Sequence, residues 1–257
     1  MQPITDIKDK AIAILKSLET GNQEAIESYI SPDKYIQHNP GFPDGRQVIV
    51  EDLDHLKQVG TKANIQRVLV DGDYVALHVD YIFFGPKVGF DIFRFEDGQI
   101  VEHWDNLQEK VDKNPSGHTM VDGATEIVDL EKTAENKAIV KDFIETILVG
   151  GHFDKLQSYF NGDHYIQHNP MVADGVSGLG KGIEEMAKQG LIMKYDKLHM
   201  IMGQGNFVLT VSEGNLGSQH TSFYDLFRLE NGKIAEHWDV IEAIPAKEEW
   251  KNENGKF

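Results

Sequence analysis

Tyr35-Ile36-Gln37-His38-Asn39-Pro40 occurs twice in this chain, returning letter for letter as Tyr165-Ile166-Gln167-His168-Asn169-Pro170. Glu102-His103-Trp104-Asp105 likewise returns as Glu236-His237-Trp238-Asp239. His38 precedes His103 by 65 residues and His168 precedes His237 by 69, so order and spacing are both kept. A period of roughly 130 residues is too long for a solenoid unit and suits a complete small domain. The chain therefore reads as two copies of one domain. The expected division is 1–123 for the first, 124–131 for a linker and 132–257 for the second.

Outward from these motifs, each copy reads as helices first and strands afterwards. Ile7, Ala11, Ile14, Leu15 and Leu18 recur at helical spacing until Gly21 stops the run. Asn22 is placed to cap a second helix through Ala25, Ile26 and Tyr29, and Asp44-Gly45 leads into a third over 48–58. The period then becomes strand-like at 65–70, 74–84, 90–95 and 99–107, with turns at Asp71-Gly72 and Asp97-Gly98. The second copy repeats the order, with helices over 133–148, 153–160 and 183–188. Its strands fall near 197–202, 207–213, 222–229 and 233–241. Three helices on one face of a curved antiparallel sheet make an α+β domain. Between the copies, 112–129 carries Asn114-Pro115, Ser116-Gly117 and Asp122-Gly123 without clear periodicity, and reads as a linker or surface strap.

Composition excludes several classes. A formal charge of −17 over 257 residues leaves no basic face for nucleic acid and disfavours an anionic membrane surface. There is no cysteine, hence no disulfide framework, thiolate metal site or cysteine nucleophile. No stretch approaches the ~20 apolar residues of a membrane span, and residues 1–10 lack the apolar core of a signal peptide. A cytoplasmic location is the expectation. No glycine-rich phosphate loop, G-x-S-x-G elbow or H-E-x-x-H motif occurs.

The candidate chemistry sits in the second motif. Strand side chains alternate faces, so His103 and Asp105 point one way and Trp104 the other, with His237, Asp239 and Trp238 repeating the pattern. A paired imidazole and carboxylate suit general acid/base work. The competing reading is a solvated or turn-capping pair, while the two tryptophans read as core. His38 and His168 could face the same cavity or satisfy their turns. Asn39 and Asn169, each before a proline, read as turn residues. Asp91 and Asp225 lie in apolar strands and need a partner, either a nearby arginine or the pocket itself. His78 has Val211 at the matching place, so it belongs to the first copy alone, as a candidate specificity residue. A metal held by His38, His103 and Asp105 is chemically conceivable but has no known spacing; no metal is expected.

The Y-x-Q-H-N-P turn and the run D-[IL]-F-R-x-E-[DN]-G-[KQ]-I-x-E-H-W-D resemble the SnoaL-like branch of the nuclear transport factor two-like superfamily. Ser116-Gly117-His118-Thr119-Met120 and Trp250-Lys251-Asn252-Glu253-Asn254-Gly255 also resemble segments that follow H-W-D in that branch. The resemblance implies two tandem cone-shaped α+β barrels, each around an apolar cavity, packed as an internal pseudo-dimer and open to further homodimerisation. It implies cofactor-free chemistry of the cyclase, isomerase or lyase type on a small apolar carbonyl compound. Asp105 and Asp239 would be the acid/bases and His103 and His237 their partners. His38, His168, Asp91, Asp225 and His78 would contact substrate. The alternative expectation is a non-catalytic pocket for a small hydrophobic ligand.

Overall fold

A computed structural model describes residues 4–257. It divides into two compact units, one of residues 4–109 with 244–257 and the other of residues 110–243.

The first unit opens with α1 (Ile4–Thr20), which ends where Gly21 turns left-handed at φ 73° and donates its N–H to Ser17. Asn22 caps α2 (Gln23–Tyr29) by accepting from the Glu24 N–H, as its position in the sequence predicts. A two-residue strand β1 (Ile36–Gln37) precedes α3 (Arg46–Gln58). Four long strands follow: β2 (Lys62–Asp71), β3 (Tyr74–Ile82), β4 (Pro86–Glu96) and β5 (Gln99–Glu109). They form an antiparallel meander that β1 extends by lying parallel to β5, giving the order β1-β5-β4-β3-β2. The core is made by Ile7, Ala11, Ile14 and Leu15 of α1, Ile26 of α2 and Leu53 of α3 against Val75, Leu77, Phe93 and Phe95 of the sheet. Helices on one face of an antiparallel sheet are the α+β layering the sequence pattern predicts.

The second unit repeats the plan with α4 (Thr133–Phe143), β6 (Ile166–Gln167), α5 (Val176–Lys188) and strands β7 (Met193–Gln204), β8 (Phe207–Leu216), β9 (Gln219–Glu230) and β10 (Lys233–Ala243). The sheet order β6-β10-β9-β8-β7 matches the first. Two stretches depart from regular α-helix. Residues Ile144–Val149 widen into a π-helical turn at the end of α4, and Phe153–Tyr159 is a 3-10 helix. Phe143, Ile144, Ile147, Tyr165, Val208 and Phe227 are central to this core.

The compact units do not follow the expected division of the sequence. Residues 110–123, assigned from chain order to the first domain, lie in the second unit, and 244–257 lie in the first. Hydrogen bonds explain both placements. Asn114 Nδ2 donates to the carbonyls of Gln167 and Val172, while Asn252 Nδ2 donates to those of Asn39 and Phe42, each at 2.8 Å. The stretch expected as a linker is also tied down, since Val128 and Asn206 exchange bonds of 2.9 Å through N–H, carbonyl and side-chain oxygen. Among the described residues no helix is long and apolar enough to cross a membrane.

Candidate active site

The short strand β1 places the site. Gln37 lies opposite His103 and Ile36 opposite Glu102 in the parallel pairing, and β6 sets Gln167 against His237 in the same way. Alternation then sends Gln37 toward the helix-covered face, where it bonds His103, and His38 to the other, where it bonds Glu102.

Gln37 Oε1 accepts the Asn39 N–H at 2.9 Å, and Gln167 Oε1 accepts those of His168 and Asn169. A backbone N–H can only donate, so these contacts fix the amide orientation and make both oxygens obligate acceptors. His103 Nδ1 and His237 Nδ1, at 3.0 and 2.9 Å from the same oxygens, must therefore carry hydrogen. Their Nε2 atoms face Asp91 Oδ1 at 3.1 Å and Asp225 Oδ1 at 3.0 Å. A lone pair cannot bond another lone pair, so a proton lies between each imidazole and carboxylate. Tyrosine hydroxyls complete the chain: Tyr81 donates to Asp91 at 2.7 Å and Tyr195 to Asp225 at 3.2 Å.

Asp91 is directly opposite Asp105 across β4 and β5, and Asp225 opposite Asp239 across β9 and β10. Facing like charges on adjacent strands repel. The shared proton next door relieves that repulsion. Asn39 and Asn169 hold the second carboxylates, donating Nδ2 to Asp105 Oδ2 at 2.7 Å and Asp239 Oδ2 at 2.6 Å. They also make the expected turns, accepting from Gly41 and Met171. Asp239 Oδ1 is buried without any hydrogen bond. Burial pushes this carboxyl up to about 6, the Asp225 charge adding to the rise while His237 and Asn169 oppose it.

Each group of carboxylates borders a cavity. The first holds about 690 Å³ of empty space and is walled by Ile14, Leu15, Ile49, Leu56, Phe83 and Leu107, with Asp91, His103 and Asp105 on its polar side. The second holds about 800 Å³, with Phe143, Leu179, Met186 and Met193 around Asp225, His237 and Asp239. Mostly apolar clefts with a few convergent polar groups suit small molecules. Tyr35 and Tyr165 line them as well. Gln167 Nε2 donates to the Tyr165 hydroxyl at 3.2 Å, and that hydroxyl's own proton has no acceptor among the described residues. Burial and the neighbouring aspartates hold the Tyr35 and Tyr165 phenols well above their ordinary range, so they remain donors.

Several expected roles change. His38 and His168 do not line the cavities. His38 stacks on Trp104 on the opposite face of the sheet, with Nε2 on Glu102 and Nδ1 on the Gly255 carbonyl, both at 2.9 Å. His168 repeats this on Trp238, Glu236 and the Thr119 carbonyl. Both rings are spent clamping the segments 110–123 and 244–257, because alternation puts them one residue out of phase with the site. Gly123, at φ 89°, passes so close that a Cβ would lie 2.1 Å from Glu236 Oε1. The arginines considered for Asp91 and Asp225 serve this outer face too, Arg94 binding Glu102 and Arg228 binding Glu236 at 2.6 Å. Burial raises the Glu236 carboxyl, but the bonds from His168 and Arg228 outweigh it and leave it below its ordinary value. His78 also misses the cavity, bonding Arg67 at 3.0 Å and stacking on Phe90. Sequence reasoning passed over Gln37, Gln167, Tyr81, Tyr195, Tyr35 and Tyr165. Applying the period of two to the repeated hexapeptide would have found Gln37, Tyr35 and their copies.

Asp91, His103 and Asp105 offer one ligand atom each within 4.8 Å, as do Asp225, His237 and Asp239, and the outer set His118, Asp122 and His168. In the first two sets the imidazole and one carboxylate are already bonded to each other and to tyrosine. Those bonds make them proton-sharing groups.

Residues 11–103 match the SnoaL-like domain family. The first half is a SnoaL-like domain. With its topology, hexapeptide turn and H-W-D motif repeated, the second half is a tandem copy of the same α+β fold. Among solved structures, TsrD from Streptomyces laurentii is similar at 16% identity, over 42% of this chain and 92% of that one, with a TM-score of 0.38. IdmH from Streptomyces antibioticus, described as a putative polyketide cyclase, is 22% identical over 40% of this chain and 91% of its own, with a TM-score of 0.34. A putative ketosteroid isomerase from Kribbella flavida DSM 17836 is 14% identical over 46% of this chain and 87% of its own, at 0.35. No curated protein matches the chain.

Proposed function

We propose that both cavities catalyse proton transfer to and from carbon on a small, largely apolar carbonyl compound. The observation that carries this reading is Asp239 Oδ1, a carboxylate oxygen buried without a partner in an apolar cavity beside a proton-sharing His–Asp pair. An unpaired buried polar atom is costly, and it is retained where chemistry needs it. Asp239 as carboxylate takes the proton from the carbon next to the carbonyl, and the electron pair moves onto the carbonyl oxygen. Tyr165, whose proton has no other acceptor among the described residues, donates to the developing enolate. Return of the proton at another carbon is an isomerisation; attack of the enolate carbon on a second carbonyl within the same molecule is a cyclisation. Asp105 and Tyr35 are assigned the same roles in the first cavity. His103 and His237 steady the charge of the adjacent carboxylates, and Asp91 and Asp225 orient the imidazoles.

The rival reading, a binding pocket for a small hydrophobic ligand without turnover, is favoured by the apolar walls alone. Hydrogen–deuterium exchange at the acidic carbon of 1,3-dicarbonyl and polyketide-like compounds separates the two. Exchange by the wild type and not by an Asp105→Asn/Asp239→Asn double variant supports catalysis. Compounds that bind both proteins equally while neither exchanges them would establish the binding pocket.

A further inference from the structure

The segments 110–123 and 244–257 cross corresponding surfaces of the two units. Asn114 and Asn252 both donate into carbonyls of the Q-H-N-P turn, and Gly117 and Gly255 follow three residues later. This alignment matches His118 with Lys256, and there the likeness ends. His118 is half-buried and reaches Asp174 Oδ2 at 3.1 Å. Lys256 is only 3% exposed, and its Nζ lies 3.6 Å from Asp105 Oδ1. Neither Asp105 Oδ1 nor the matching Asp239 Oδ1 accepts a hydrogen bond; the difference is the ammonium, because no lysine or arginine pairs with Asp239 among the described residues.

A lysine is almost never so deeply buried without a counter-charge, and an ammonium beside a carboxylate favours its ionised form. We infer that Lys256 is a positioning residue of the first site, pairing with Asp105 so that the chain's two candidate acid/bases sit in unlike charge environments and work in different pH ranges. The assignment of Asp105 and Asp239 as acid/bases rests on the proton-transfer reading; the Lys256–Asp105 pair does not. The other titratable groups around Asp105 are Asp91 from β4, His103 on its own strand, Tyr35 before β1, Tyr81 from β3 and Asp52 from α3. Asp91, His103, Tyr35 and Tyr81 have counterparts in Asp225, His237, Tyr165 and Tyr195. Lys256 has none. The first site thus holds a buried ammonium beside its carboxylate, and the second does not. The second is suited to a carboxyl that gains and loses its proton near neutrality.

The test is a pH titration of the aspartate side-chain carboxyls by carbon-13 NMR on the full chain, with signals assigned through Asp105→Asn and Asp239→Asn. Lys256→Met keeps the length and removes the charge. It is expected to move the Asp105 midpoint upward by about one unit or more, tenfold in proton affinity, and to leave Asp239 in place. Lys256→Arg should keep the wild-type midpoint. If Lys256→Met is folded by its amide spectrum and the Asp105 midpoint does not move, the inference fails. If Lys256→Met does not fold, an Asp105 midpoint in Lys256→Arg or wild type no lower than that of Asp239 overturns it equally. Because the titration needs no turnover, a shifted midpoint in a protein that exchanges no carbon acid would uphold the pairing and sink the proposed reaction.

Discussion

The two units deliver one phenol to one carboxylate from different strands. In the first unit Tyr81 of β3 bonds Asp91, and its cross-strand neighbour on β2 is Ala63. In the second the bond to Asp225 comes from Tyr195 of β7, and its neighbour on β8 is Gly214. Large and small residues have changed places across the pair. Gly214 is now obligatory, because a Cβ there would lie 1.9 Å from the Lys194 carbonyl oxygen. The ring can be relocated; the hydroxyl on the aspartate is what both units keep. His78 and Val211, which differ between the copies, lie outside the cavities.

The comparison can be broken in several places. The largest effect is expected from the acid/bases. Asp105→Asn and Asp239→Asn should each lower carbon-acid exchange at their own site by roughly 10²-fold or more, the usual range for losing a general base. Rate profiles across pH should show two separable components, one lost in each variant. A single component lost in only one variant would make the other unit a silent copy.

Next is Gly214→Ala. The Lys194 carbonyl is backbone and cannot step aside cheaply, so a loss of about 2–4 kcal/mol in the second unit is expected in denaturant unfolding. A neutral result would mean that β7 is not held against β8 as described.

The third effect concerns acid. The folded Asp239 carboxyl lies near 6, above its ordinary value, because of burial. The folded state therefore binds this proton more tightly than the unfolded state, and the stability it contributes is present in acid and lost as pH rises from about 4 to about 6. The loss is on the order of 2–3 kcal/mol. Asp239→Asn, which stays neutral, should gain by that amount relative to the wild type between pH 4 and pH 7, read from paired urea melts. A constant difference would show that Asp239 is not desolvated.

The smallest effect belongs to the phenols. Tyr81→Phe and Tyr195→Phe should each cost about 1.5–2 kcal/mol, the low end of what one hydrogen bond to a charged group contributes. Their equality is the point. Each should also couple to Asn substitution of its own aspartate, Asp91 or Asp225, in a double-mutant cycle. Coupling in one unit alone would make the second tyrosine mere packing.

Much of the fold was legible because it depends on local pattern. Ile7, Ala11 and Ile14 mark α1, Asn22 caps α2, and Asp71-Gly72 and Asp97-Gly98 turn the strands. The H-x-D pair was legible for the same reason, since alternation needs no tertiary information. What lay hidden depends on pairing between distant strands. The β1–β5 register brings Gln37 to His103, and the two-residue length of β1 gives no periodic signal of its own. Tyr195 could not be matched to Tyr81 because the two occupy different strands. The exchange of the segments 110–123 and 244–257 rests on side-chain bonds from Asn114 and Asn252 to carbonyls far away in sequence.

That exchange sets an order of completion during synthesis. The second unit is a continuous stretch, and everything it needs is present once Ala243 has emerged. The first unit is translated earlier, yet it lacks the residues that clamp His38 and meet Asp105 until 244–257 follow. The half made first is finished last.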